Sequence, residues 1–405
     1  MTVDDPDEFP LIVSVDDHVV EPGDLWTQRL PARYREIGPR TVRERIPKKS
    51  NPDEDKWADV WYYESVRVPV PRGFAAVSFE PDDLEDDPMT FDEMRPGCYG
   101  VADRLRDMDA DGVEASVCFP NAFVRFCGQR FLAGEDRELA LLSVQAYNDW
   151  LADEWCGTSD GRLLGAAIIP LWDATLAAAE IRRVSAKGLT SVAFSEIPAR
   201  LGLPSMYSGY WDPFFAACEE TQTVINLHIG SSSQTHTSSE DAPLAVHIAN
   251  HFQNSAFSLS DWLVSGAFTR FPQLKTAFSE GQAGWIPFLL SRLDQLWDRH
   301  APLLGLQTLP ERPSHYVREH VYACVFNDPA ALHLADQVGK HDIYQIGEDN
   351  LLFETDYPHN DSTFPHSVAS AQQLTSGLTA EQRRKVLRTN AAKLYRVERV
   401  LTGAS

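Results

Sequence analysis

The sequence predicts an α/β chain folded as a (β/α)8 barrel, and three observations predict it. Short apolar, β-branched runs recur at eight places, and segments with helical periodicity separate them. Five of the runs end in a carboxylate or an imidazole. A barrel of this kind takes roughly 250 residues plus insertions, and the chain has 405. An open doubly wound sheet is the alternative, but no Gly-x-Gly-x-x-Gly follows any of the runs.

Taken in order, the first run, Leu11–Val15, leads into Asp16-Asp17-His18. Residues 26–100 are rich in proline and charge and show little periodicity, so they are expected to be an insertion after strand 1, folded over the barrel as a lid. A helical segment, Val101–Asp109, precedes the second run, Val113–Phe119, and Asp136–Trp155 precedes the third, Leu163–Ile169. Asp173–Lys187 leads to Leu189–Phe194, which ends in Ser195-Glu196. Tyr210–Glu220 leads to Thr223–Leu227, which opens into His228 and a small-residue loop containing Gly230 and Ser231. Ser258–Phe271 leads to Leu274–Phe278 and Ser279-Glu280, and Ala283–His300 to Val321–Val325. Asp328–Gln337 precedes the last run, Leu351–Phe353, whose end carries Thr355, Asp356, Tyr357, Pro358 and His359. C-terminal helix follows over Ala380–Leu401, with Val386, Leu387, Leu394 and Val397 at helical spacing. A single domain over residues 1–405 accommodates all of this.

Composition narrows the partners. Lys and Arg number 36 against 59 Asp and Glu, a formal net charge of −23, which argues against the basic stripe a nucleic-acid surface needs. No run approaches the roughly 18 apolar residues of a membrane span. The acidic N-terminus lacks the basic start and apolar run of a secretory signal, and the six cysteines show no CxxC spacing. A cytoplasmic protein with reduced thiols is expected.

In such a barrel the chemistry sits at the C-terminal ends of the strands. Side chains alternate along a strand, so Asp16 and His18 share a face and Asp17 points away. A carboxylate and an imidazole converging there suit zinc, manganese or iron. Asp-x-His alone is as readily a hydrogen-bonded pair, His228 alone a core histidine and Asp356 alone a loop cap. Their coincidence at matching strand ends favours a site. Ser231, through its hydroxyl, and His359 are candidates for substrate contact.

The segments VDDHVVEP (Val15–Pro22), INLHIG (Ile225–Gly230), FPQLKTAFSEGQAGWIPFLLSRLD (Phe271–Asp294) and FETDYPHND (Phe353–Asp361) resemble the metal-dependent amidohydrolase superfamily. The resemblance is to the branch containing aminocarboxymuconate-semialdehyde decarboxylase and the resorcylate-type decarboxylases, and it spans about residues 11 to 395. It implies a distorted (β/α)8 TIM barrel with Asp16, His18, His228 and Asp356 as ligands of a divalent ion. Zinc is the first expectation and manganese or iron the alternatives, as one ion or two. Two departures stand out. The first-strand motif of the superfamily is usually His-x-His, and the branch's decarboxylases place a histidine where this chain has Glu280. If Glu196 bridges two ions, as a strand-4 carboxylate does in dinuclear relatives, His359 becomes a further ligand; otherwise Glu196 is held by a backbone amide or an arginine such as Arg200.

The resemblance implies, first, a hydrolase in which a metal-activated water attacks a C–N or C–O bond of a small molecule, with Asp356 or Glu280 carrying the proton. The alternative is a decarboxylase of a small carboxylic acid, weakened because an ionised Glu280 accepts protons but does not donate them. A dinuclear iron or manganese–iron oxygenase and a catalytically silent subunit are further alternatives. The chain is expected as a homodimer, or as a hetero-oligomer with a paralogue, with no nucleic-acid or membrane partner.

Overall fold

The computed structural model describes residues 9–80, 87–235, 237–332 and 347–402. Eight parallel strands follow one another around a sheet: β1 (Ile12–Val19), β5 (Val113–Pro120), β6 (Leu163–Ala167), β7 (Ser191–Ser195), β8 (Val224–His228), β9 (Thr276–Ser279), β10 (Val321–Val325) and β11 (Leu351–Phe353). These are the eight runs read from the sequence, with ends shifted by a few residues. The largest shift is in β1, which continues through Asp16 and His18 to Val19 because irregular register against β5 between Ser14 and Asp17 lets the strand keep pairing.

The two ends of the sheet meet without a regular ladder. Asp356 N donates to Asp16 O at 2.8 Å and His18 N to Tyr357 O at 2.6 Å. Asp17, turned away from its neighbours as alternation requires, ties the same seam from behind. Its carboxylate accepts from Thr355 Oγ1 at 2.5 Å and Tyr357 N at 3.0 Å, and from Ser116 Oγ.

Arg104, fully buried on the helix Val101–Asp111, backs this seam. Its guanidinium donates to Gly97 O at 2.8 Å and to His18 O at 2.5 Å, and lies 4.0 Å from the centre of the Tyr357 ring. Arg104→Met would leave both carbonyls unpaired and Asp17 without its cation, a loss of about 3–5 kcal/mol in folding free energy. Denaturant unfolding should show it. Arg104→Lys should recover only part, because an ammonium lacks the planar fork that reaches both acceptors.

The helices follow their caps. Asp136 accepts from Glu138 N and Leu139 N and opens Arg137–Trp150. Asp173 does the same for Ala174–Ser185. The expected helix Asp328–Gln337 is helical over 329–332, and the rest of it lies outside the described residues. The C-terminal segment is not one helix: it is interrupted by a π turn over Lys385–Thr389 and again at Arg396, whose φ of 58° ends Asn390–Tyr395.

Residues 26–100 hold more regular structure than their sequence suggests. Arg40–Pro47 (β2), Asp55–Tyr63 (β3) and Val66–Pro69 (β4) form an antiparallel sheet. The strands escape a reading based on alternation because β2 carries charge on both faces and buries only Ile46. Trp61 of β3 stacks on Phe123 at 4.4 Å, fixing the sheet to the loop after β5. Among the described residues no helix is long and apolar enough to cross a membrane.

Candidate active site

The strand ends bring Asp16, His18, His228, Asp356 and His359 together. Two overlapping groups could hold a metal ion, Asp16 with His18 and His228, and His18 with Asp356 and His359; all five residues are buried. His18 Nε2 lies 3.5 Å from Asp16 Oδ1 and 3.5 Å from Asp356 Oδ1. His228 Nε2 lies 3.5 Å from Asp16 Oδ2 and 3.7 Å from Glu280 Oε2. His359 Nδ1 lies 3.0 Å from Asp356 Oδ1.

The imidazoles are set in one tautomer by the backbone. His18 Nδ1 faces Pro120 O at 3.0 Å and His228 Nδ1 faces Ile229 O at 2.6 Å, so each Nδ1 carries the hydrogen and each Nε2 a lone pair. The two Nε2 atoms are 3.2 Å apart. Two lone pairs at that separation, beside an Asp16 whose carboxylate oxygens have no hydrogen-bond partner, repel unless a cation lies among them. Phe126 stacks on His228 at 4.1 Å and His359 on His18 at 3.8 Å, holding the rings in place.

Electrostatics agree with this geometry. Burial first, then the charges of Glu354, Glu280 and Asp356, pushes the Asp16 carboxyl well above the ordinary range. Burial likewise lifts Asp356, Glu280 and Glu354, and pushes His228 and His359 down to about 3. A carboxyl raised by folding stabilises the fold at low pH and loses that contribution as pH rises. Histidines depressed by burial act the other way, adding stability as pH rises through 6.5, so the two sets oppose each other near neutrality. The stabilisation added by a saturating divalent ion should be larger at pH 8.5 than at pH 6.5, because the ion needs these raised carboxyls deprotonated; calorimetry with and without the ion at both pH values reads it.

Two positions are strained. Glu280 has φ 55° and Asp356 φ 50°, a left-handed backbone that costs a non-glycine residue on the order of 1–3 kcal/mol and clusters at functional sites.

Glu196 stands outside both metal-capable groups. Its Oε1 accepts from Ser232 Oγ at 2.8 Å, Asn254 Nδ2 at 3.0 Å and Gly230 N at 3.1 Å, so it holds the loop after β8. Burial lifts it to about 7. Glu196→Gln keeps these acceptor bonds and should retain the metal stoichiometry of the parent; loss of an ion by elemental analysis would make it a ligand. Ser231 is equally occupied: its Oγ accepts from Glu196 N at 2.9 Å and is fully buried.

Three site residues escaped the sequence reading. Glu354 is fully buried and its Oε2 accepts from Glu280 N at 3.1 Å; it lies two residues before Asp356, the same spacing that singled out Asp16 and His18. Phe126 and Phe74 line the cavity beside His359 and Glu280. A survey restricted to polar strand ends passes over aromatic residues in loops.

Comparison with known proteins places the chain. The family profile described as amidohydrolase matches residues 51–397. The chain belongs to the amidohydrolase family. A gamma-resorcylate decarboxylase of Rhizobium sp. (strain MTP-10005) is 24% identical over 308 residues, 73% of this chain and 86% of that one. Among solved structures, an amidohydrolase from Mycobacterium avium subsp. paratuberculosis K-10 superposes with a TM-score of 0.72 at 22% identity, over 95% of this chain and 99% of that one. A dihydroxybenzoic acid decarboxylase from Polaromonas sp. JS666, with bound manganese and the inhibitor 2-nitroresorcinol, gives 0.60 at 19% identity, over 96% and 98%. As an amidohydrolase-family enzyme, the chain carries its candidate site at the barrel end where the fold puts chemistry.

Proposed function

We propose that this amidohydrolase-family enzyme is a metal-dependent decarboxylase of an aromatic carboxylic acid bearing a neighbouring hydroxyl. The observation that carries the reading is the likeness to gamma-resorcylate decarboxylase over 73% of the chain. Decarboxylation thereby moves ahead of hydrolysis, the first expectation from the sequence.

Asp16, His18, His228 and Asp356 would hold the ion, with His359 in reach. Two imidazoles and two carboxylates suit manganese, iron or zinc, and manganese comes first because the Polaromonas structure carries it. Such an ion, when bound, anchors the acid through its oxygens and draws electron density from the ring.

The chain supplies the proton. Burial first, then the charge of Asp356, holds the Glu280 carboxyl well above the ordinary range, so that of these neighbouring carboxyls Glu280 keeps a proton. Glu280 is its donor. This removes the objection that a glutamate at this position cannot protonate carbon. As the ring–carboxyl bond breaks, its electron pair stays on the ring carbon, Glu280 delivers its proton there, and carbon dioxide leaves. Glu280 then regains a proton from water through the cavity. Phe74 and Phe126 shield the ring, and residues 26–100, which contribute Gly73 and Phe74 to the wall, act as the lid.

The test is to incubate the manganese-loaded enzyme with 2,6-dihydroxybenzoate and related hydroxybenzoates and measure carbon dioxide. Release with formation of the matching phenol is expected. Cleavage of an aryl ester or amide, with no carbon dioxide from any of the acids, would return the reading to hydrolysis.

A further inference from the structure

The cavity over the strand ends is far larger than one benzene ring. Its volume is about 760 Å³, in the range of roughly 300–1,000 Å³ that buries a drug-sized ligand, whereas about 150 Å³ accommodates benzene. Its outer wall is apolar, built from Phe74, Phe126, Leu244, Ile248, Phe252 and Phe326. Leu244 is 72% exposed and Ile248 47%, so this wall runs out to the surface along the helix Leu244–Ala249.

The charge of the wall is one-sided. Among the described residues no lysine or arginine lines the cavity, whose ionisable groups are Glu280, Asp356 and Asp361 with His251 and His359. A substrate anion at the deep end can be met by the metal ligands' cation. A second anion further out would meet Asp361, phenyl rings, the neutral amides of Gln282 and Asn360, and His251, which burial holds below the ordinary imidazole range, without a cation to offset its desolvation.

From this volume and one-sided lining we propose that the enzyme takes aromatic acids of two or more rings, with a single anionic head at the strand ends and an uncharged, apolar body along Phe74, Phe252, Ile248 and Leu244. The proposal rests on the reading of the site as one that binds aromatic acids. It separates that class from one-ring acids, which leave most of the wall bare, and from dianions, which the wall excludes.

Binding and turnover are measured separately so that the two readings can fail separately. Dissociation constants by calorimetry and carbon dioxide release are determined for manganese-loaded enzyme with 2-hydroxybenzoate, 3-hydroxy-2-naphthoate and 4-hydroxyisophthalate. The naphthoate is expected to bind at least about tenfold more tightly than the benzoate, since even one added methylene in an apolar pocket is worth roughly that factor. The isophthalate is expected to bind at least about tenfold more weakly than the benzoate. That order without carbon dioxide supports the substrate class and removes the decarboxylase reading. Equal binding of all three, or tightest binding of the one-ring acid or the dianion, overturns the class even if carbon dioxide is released. Ile248→Arg, which places a cation on the outer wall, should improve isophthalate binding about tenfold and weaken naphthoate binding; a folded variant with the parental affinities for both would also overturn it.

Discussion

Asp16→Ala is expected to purify with no more than a trace of divalent metal and to lose at least about a thousandfold in turnover. The expected size follows from what the ion supplies, several kcal/mol of charge stabilisation, at about 1.4 kcal/mol per factor of ten. Asp16 reaches both histidines, 3.5 Å from His18 and 3.5 Å from His228, so no other carboxylate stands in for it. The metal-free variant should nonetheless be at least as heat-stable as the chelated parent above pH 6.5, because Asp16 is a fully buried carboxyl without hydrogen bonds, and removing it removes a desolvation cost. Elemental analysis and calorimetry test both halves. Full metal content in the variant would sink the ligand assignment, and a large loss of stability would mean that Asp16 serves the fold.

Glu280→Gln is expected to keep its metal and to lose roughly 10²–10⁴-fold in turnover, the usual worth of a positioned proton donor or acceptor. The amide preserves the size of the side chain but offers carbon no acidic proton. The loss should fall on kcat more than KM, since in the proposed reaction Glu280 acts at the ring carbon while the ion would hold the substrate carboxylate. Products labelled in heavy water sharpen the test: the parent should place one deuterium on the ring carbon that lost the carboxyl. Unchanged turnover in the variant would move the proton to another group, and His359, beside Asp356, is the next to examine.

Much of this site was legible in the sequence, for reasons that also explain what was not. Asp16, His18, His228, Glu280 and Asp356 follow apolar runs directly, so strand alternation and barrel topology suffice to converge them. Glu196 also follows a strand, but chain order does not say that its Oε1 takes Gly230 N and Ser232 Oγ from a different segment while its Oε2 is left without a hydrogen bond. Ser231 shows the same limit: that its hydroxyl accepts from Glu196 N is set by packing and not by chain order. The sheet β2 to β4 was hidden because half-exposed, charged strands carry almost no periodic signal. Arg104 reads as one more charge on a surface helix, and only the packing of Gly97, His18 and Tyr357 around it shows it to be interior.

The seam joining β1 to the end of β11 also bears on how the protein is made. Asp17 and Tyr357 meet across 340 residues of chain, and the proposed ligands are split across the same join. A ribosome must deliver the chain through the last barrel strand before an ion would have a complete set of donors, and such distant pairings form late. An ion at a thousand times its dissociation constant would add about 4 kcal/mol to the closed ring.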